Sequence, residues 1–232
     1  MTYNIRGTKG MDNRRSARRI AGVIRSSGAQ IACLQEVCQR LPWARMVDQP
    51  GVLARELRMN LAFQRNLSIG MGGFGNAVLS TFEIAFCRSH SLTSKDEQRG
   101  ALEVRLIVPG GPLTVFCTHF GLDREERVTQ ARELAALVNA AESPKLVCGD
   151  FNEESDGQAV TQLLRLTGLV DADPNGPPTF DSLSPRSRID MILCEASLVV
   201  GSAAVLQSTA SDHLPLVADL APGAVGARSE PI

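Results

Sequence analysis

Short apolar runs that stop on a polar residue constrain this chain more than any other feature. Leu146, Val147 and Cys148 read as the interior of a buried strand, and Asp150, Asn152, Glu153 and Glu154 follow at once. The pattern recurs. Asn4 follows Thr2 and Tyr3, Glu36 follows Leu34 and Gln35, and His119 follows TVFCT. Asp190 interrupts RIDMIL, and Asp212 and His213 precede LPLVADL. Apolar runs of about four to eight residues have the length of strands rather than helices. A single carboxylate at a strand end is commonly a turn or a cap. Six such sites with related chemistry are harder to set aside in that way. Side chains alternate along a strand, so Asp150 and Asn152 are expected on one face and Phe151 on the other. Glu153 and Glu154 are expected to open the next loop or helix and to carry no chemistry.

The remaining pattern fills in the architecture. Helices are expected over Asp12–Ser27, with Asp12 as cap and Gly28 past the end, and over Val52–Met59, Arg124–Ala141 and Gln158–Thr167. Strands are expected over Thr2–Ile5, Ala62–Asn66, Asn76–Ser80, Ile84–Ser89, Ala101–Val108 and Leu113–Thr118. Three more follow over Ile189–Cys194, Leu198–Leu206 and Leu214–Leu220. SIGMGGFG reads as a Gly-rich loop without phosphate-loop spacing, PGGP at 109–112 as a hairpin turn, and 171–188 as a long irregular loop. Many strands, few helices and no regular alternation predict two packed sheets with helices outside, not a doubly wound parallel sheet.

With 232 residues, 44% of them hydrophobic, one domain over residues 1–221 is expected, with 222–232 as a frayed tail. A formal net charge of −1 argues against a globally basic nucleic-acid binder, though not against a local basic patch. None of the six cysteines forms a CxxC pair, and Cys33, Cys117, Cys148 and Cys194 lie in apolar runs. Zinc is therefore not expected, and a reducing, cytoplasmic compartment is. No apolar run reaches membrane-spanning length, no signal-peptide pattern is visible, and the short first strand gives the chain a clipped look. A monomer is expected.

Only three histidines occur: His90, His119 and His213. His90 lies among polar residues and is expected in an exposed turn. His119 and His213 stand at strand ends beside the acids. Histidines with several carboxylates and no cysteine ligands suit metal-assisted hydrolysis of a phosphate ester. Glu36, Asp150 and Asp212 offer the hard oxygen ligands that Mg²⁺ or Mn²⁺ prefers, and imidazole can serve as base or as cation.

TYNIRG, LQEV, GNAVLS, QRGALEV, THFGL, GDFNEES, SRIDMIL and SDHLPLVADL together resemble the endonuclease/exonuclease/phosphatase superfamily, the DNase I-like group, from Thr2 to about Leu220. The resemblance implies an α+β fold, a four-layer αββα sandwich of two mainly antiparallel or mixed sheets flanked by helices. It implies Glu36 as the main metal carboxylate, with Asn4 beside it and Asp212 helping. It implies Asp150 orienting or deprotonating the attacking water, Asn152 holding a phosphate oxygen, and Asp190 orienting His213. His213 would be base or transition-state stabiliser, and His119 the second catalytic histidine. Arg99, Asn76 and Arg6 would contact the phosphate or line the site. No acidic partner for His119 is evident.

The function so implied is a Mg²⁺- or Mn²⁺-dependent phosphoesterase acting on a phosphodiester or phosphomonoester. A nuclease and a sphingomyelinase-like lipid phosphodiesterase are alternatives, and a catalytically silent binding relative is a further one. Near-neutral charge and 4% aromatic residues weigh against nucleic acid. For lipid, the SIGMGGFG stretch with Ile69, Met71 and Phe74 is the one small candidate anchor. A soluble sugar or nucleotide phosphate needs no extra device.

Overall fold

A computed structural model describes residues 1–223. Strands β1 (Thr2–Asn4), β2 (Ile31–Gln39), β3 (Asn60–Ile69) and β4 (Gly72–Ser80) build one sheet with β11 (Leu198–Val205) and β12 (Leu216–Pro222). The second contains β5 (Glu83–Leu92), β6 (Arg99–Val108), β7 (Gly111–His119), β8 (Lys145–Asp150), β9 (Val170–Asp171) and β10 (Asp190–Cys194). Spatial order is β11-β12-β1-β2-β4-β3 in the first and β5-β6-β7-β8-β10-β9 in the second. Pairing is antiparallel except for β1 with β2 and β7 with β8. The short first strand is thus central, not an edge.

Three apolar layers make this a four-layer αββα sandwich. Helices α1 (Ala17–Ser27) and α2 (Gln49–Leu57) cover the first sheet, packing Ile20, Ile24 and Leu53 on Tyr3, Leu34 and Leu79. Helices α3 (Arg124–Ala140) and α4 (Gln158–Thr167) cover the second, packing Leu134, Val138, Val160 and Leu163 on Phe116, Val147 and Leu193. Between the sheets lie Cys33, Val78, Val115, Cys117, Cys148 and Ile192. Strand alternation sorts neighbours between layers: Phe116 and Val147 face helices, while Val115 and Cys148 face the other sheet.

Several boundaries move for local reasons. Helix α1 starts after Ser16, whose side chain accepts the Arg19 amide, whereas Asp12 accepts from the Arg14 amide and pairs with Arg19, holding 12–15 out of the helix. The expected Gly-rich loop is zipped into the β3–β4 hairpin, with Ser68 opposite Gly73 and Ile69 opposite Gly72. Glycine is required there: a Cβ on Gly72 would sit 2.7 Å from the Arg40 carbonyl oxygen. Pro222, expected in the tail, is the last residue of β12 and pairs with Leu198 of β11. Gly223 donates its amide to the Ser197 carbonyl at 2.7 Å, and residues 224–232 of that expected tail lie outside the described residues. Among the described residues, no helix is long and apolar enough to cross a membrane.

His90 is not in an exposed turn. It sits within β5, its Nε2 2.8 Å from Glu103 Oε2 on β6, with 15% of its side chain exposed.

Candidate active site

The site is the polar end of the layer between the sheets. Cys117, Cys148 and Ile192 face that layer, and two residues further along the same alternation stand His119, Asp150 and Asp190. Register aligns them: His119 lies opposite Asp150 across β7–β8, and Asp190 opposite Asp150 across β10–β8. Asn4 reaches the same space from β1 because Tyr3 faces the helices and its neighbours face the other way.

Glu36 arrives by a different route. Leu34 and Val37 both face the helices although they are three apart, so alternation fails between them, and the register shifts there against β4. Glu36 takes φ +56° at this irregularity. One extra residue turns the carboxylate into the site, the re-aiming that a β-bulge performs.

Asp150 Oδ2 is the focus. Asn4 Nδ2 donates to it at 3.0 Å and to Glu36 Oε1 at 2.9 Å, linking carboxylates from the two sheets. His119 Nε2 lies 3.4 Å and His213 Nε2 3.6 Å from the same oxygen. The other oxygen, Oδ1, accepts the Asn152 amide at 2.9 Å. Asn152 itself is turned by a left-handed φ of +49°, not by continued strand. Its Nδ2 donates to the Phe120 carbonyl at 2.9 Å and lies 3.1 Å from His119 Nε2. Phe151 packs edge-on against Phe120, away from the site.

The two histidines are set oppositely. Burial drives His119 down to about 3 against the pull of Asp150, and the Arg99 guanidinium adds to the lowering. Both ring nitrogens face donors, Arg99 Nη1 at 3.1 Å from Nδ1 and Asn152 Nδ2 at 3.1 Å from Nε2, an environment that favours the neutral ring. Arg99 faces Nδ1 of His119, while the acid Asp150 faces Nε2. For His213 burial again opposes charge, but Asp190, Asp150 and Asp212 outweigh it and hold the ring at about 10. Its Nδ1 donates to Asp190 Oδ2 at 2.9 Å, and Asp190 is fully buried.

Of the remaining expected residues, Arg6 turns its Nε to Asp212 Oδ2 at 3.0 Å. Arg99 stands behind His119 and pairs with Glu97 at 2.6 Å. Asn76 is buried, and its amide donates to the Gly100 and Cys117 carbonyls, tying one sheet to the other. Glu153, expected to be idle, accepts the Ala159 and Val160 amides and so caps α4, whose own cap position is Gly157.

The irregular 171–188 segment supplies residues that sequence patterns did not mark. Thr179 accepts the Leu214 amide through its carbonyl at 2.7 Å, and its hydroxyl accepts the Asp190 amide at 3.3 Å. The Phe180 ring lies 4.8 Å from the His213 ring. Ser182 Oγ donates to the Ser211 carbonyl, and Ser211 Oγ donates to the Asn4 carbonyl, each at 2.8 Å. One faint signal was available: apolar Phe180 and Leu183 inside an otherwise polar, Pro-rich loop.

Two donor sets suit a divalent cation. Asp150, Asp190 and His213 each offer an atom within 4.8 Å of the others, and could hold a metal. Glu36, Asn4 and Asp212 offer hard oxygens. Burial raises the Glu36 carboxyl above its ordinary value, Asn4 lowers it, and the Asp212 and Asp150 charges raise it further. A cation would relieve that crowding of buried negative charge, so the residues present fit Mg²⁺ or Mn²⁺.

The sequence profile of the endonuclease/exonuclease/phosphatase family matches residues 1–213. The chain belongs to that family. YbhP of Escherichia coli K12 is 30% identical over 241 aligned residues, covering 95% of this chain and 94% of YbhP. An endonuclease/exonuclease/phosphatase from Beutenbergia cavernae has a similar fold at TM-score 0.81 and 24% identity, over 96% of this chain and 70% of that one. So does the mannosyl-6-phosphatase Bt3783 of Bacteroides thetaiotaomicron, at TM-score 0.76 and 21% identity, over 95% and 98%. The four-layer fold of this family member is the DNase I-like one.

Proposed function

We propose that this family member is a Mg²⁺- or Mn²⁺-dependent phosphoesterase that hydrolyses a phosphodiester or phosphomonoester by in-line attack of water. One observation carries the reading. Asn4 bridges Glu36 and Asp150 from opposite sheets, and two histidines of opposite charge character flank the same Asp150 oxygen.

A bound divalent cation would neutralise non-bridging phosphate oxygens as charge develops. Glu36 and Asn4 would hold it, with Asp212 alongside. While Asp190 keeps His213 protonated, His213 has no free lone pair, which favours the Glu36 side over the Asp150–Asp190–His213 trio. Asp150 accepts a proton from the attacking water as the new P–O bond forms and the ester P–O bond breaks. His213, as an imidazolium, donates through Nε2 to a phosphate oxygen, and Asp190 fixes its orientation. The Asn152 amide supplies a further donor, with neutral His119 held beside it.

The test is hydrolysis of bis-p-nitrophenyl phosphate and p-nitrophenyl phosphate with added Mg²⁺ or Mn²⁺. Activity should vanish in EDTA and return with metal. Asp150→Ala and His213→Ala should each fall below about a tenth of the parent rate, given the ~10²–10⁴-fold worth of such groups. A folded variant above that level, or full activity in chelator, would sink the proposal.

A further inference from the structure

A cleft of about 350 Å³ opens beside Glu36, within the ~300–1,000 Å³ range of ligand sites. Arg6, Lys9 and Arg15 line one part of it, and Trp43, Leu67 and Phe74 another. Neither half is explained by hydrolysis of the phosphate alone.

The aromatic half is held in place yet left open. Leu41 and Ala44 are buried against Cys38 and Phe74, which pins the turn at 42–44, while Trp43 between them stays 50% exposed. Burying an indole is among the larger gains available to a chain, so a half-exposed one on a fixed turn is a surface waiting for a partner. The cationic half has charge to spare. Arg6 is paired with Asp212, and Glu97 with Arg99. Arg15 donates to the Arg6 and Gly7 carbonyls, which leaves its charge unneutralised. Among the described residues Lys9 makes no ion pair. A ligand here would present a flat apolar ring to Trp43 and an anion to Lys9 and Arg15, with its scissile phosphate beside Glu36.

We infer that this cleft is a nucleotide subsite: a base stacks on Trp43 and a second phosphate meets Lys9 and Arg15. The inference rests on the phosphoesterase reading for the placement of the scissile group. Base stacking on one aromatic ring asks little of the sequence, which suits either a free nucleotide or the end of a single strand.

Trp43 is the only tryptophan, so its emission reports occupancy without turnover. The full chain with Mg²⁺ is titrated with α,β-methylene-ADP, whose P–C–P bridge resists hydrolysis, and with methylenediphosphonate, which lacks the base. Saturable quenching by the nucleotide is expected, with the bisphosphonate binding roughly tenfold or more weakly. Lys9→Ala should weaken nucleotide binding about tenfold, the scale of one charge-assisted contact. A short single-stranded oligonucleotide separates the sources. Tighter binding than the nucleotide identifies a strand end, and equal binding a free nucleotide. Equal affinity for nucleotide and bisphosphonate, or no saturable quenching by the nucleotide, overturns the inference. So does a blue shift on phosphatidylcholine vesicles that nucleotide fails to reverse, which would make Trp43 a lipid contact. Hydrolysis of bis-p-nitrophenyl phosphate is scored in parallel. Turnover without nucleotide binding removes this inference alone, and nucleotide binding without turnover removes the phosphoesterase reading alone.

Discussion

Replacing Asp190 with Asn keeps the shape of the side chain and removes its charge beneath His213. The parent contact is a 2.9 Å bond from His213 Nδ1 to Asp190 Oδ2, with Asp190 fully buried. Holding His213 at about 10 rather than the ordinary 6.5 corresponds to roughly 5 kcal/mol in favour of the imidazolium. Burial opposes that charge, and Asp190 is the largest of the groups that offset it. Without it, Asp150 and Asp212 remain, and most of the preference for the charged ring is lost. The assay is a pH–rate profile on bis-p-nitrophenyl phosphate, with folding followed by circular dichroism. In the parent, this group stays charged until pH rises toward about 10. In the variant, activity should fall as pH rises through about 6–7, the range of an unassisted imidazole. At about pH 8 the rate should be ~10²–10⁴-fold lower, the worth of a positioned proton donor, with KM changed far less than kcat. A folded variant with the parent profile and a rate within about threefold of it would refute the argument.

Three further outcomes are expected. Arg188 and Asp171 form a buried 2.8 Å pair at the base of the 172–189 segment, with each side chain 7% exposed. Arg188→Met should cost ~3–5 kcal/mol in urea unfolding, because Asp171 is left charged and buried, while adding Asp171→Leu should recover most of it; equal losses in both would contradict this. Glu153→Ala should lower stability by about 1 kcal/mol and speed amide exchange at Ala159 and Val160, whereas unchanged exchange there would remove its capping role. Cys87 is the exposed cysteine, and burial pushes the Cys38 thiol up to about 11, so iodoacetamide on the native protein should give one adduct by mass spectrometry. Modification of Cys33, Cys117 or Cys148 before unfolding would contradict the packing between the sheets.

The sequence by itself determined where most strands run and which of them end on polar residues. Alternation in TVFCTH and KLVCGD already commits His119 and Asp150 to the same side as Cys117 and Cys148, because a strand has only two faces. Helix α4 was legible to the residue, since its apolar spacing and Gly168 leave no choice of end. What alternation could not reveal is where a strand departs from itself. Glu36 enters the site through an extra residue in β2, and Asn152 through a left-handed turn rather than the assumed continuation of β8. Only the tertiary structure joined β1 to β8 so that Asn4 could bridge Glu36 and Asp150, residues 32 and 146 positions away in the chain. It also brought Thr179, Phe180 and Ser182 against the His213 segment, from a loop whose composition marks irregular backbone but not what it packs against. Side-chain periodicity encodes which face a residue takes, and that is local. Charge state, partner and role depend on neighbours distant in the chain: for His119 burial decides the charge, and Arg99 on β6, 20 residues away in sequence, adds to it.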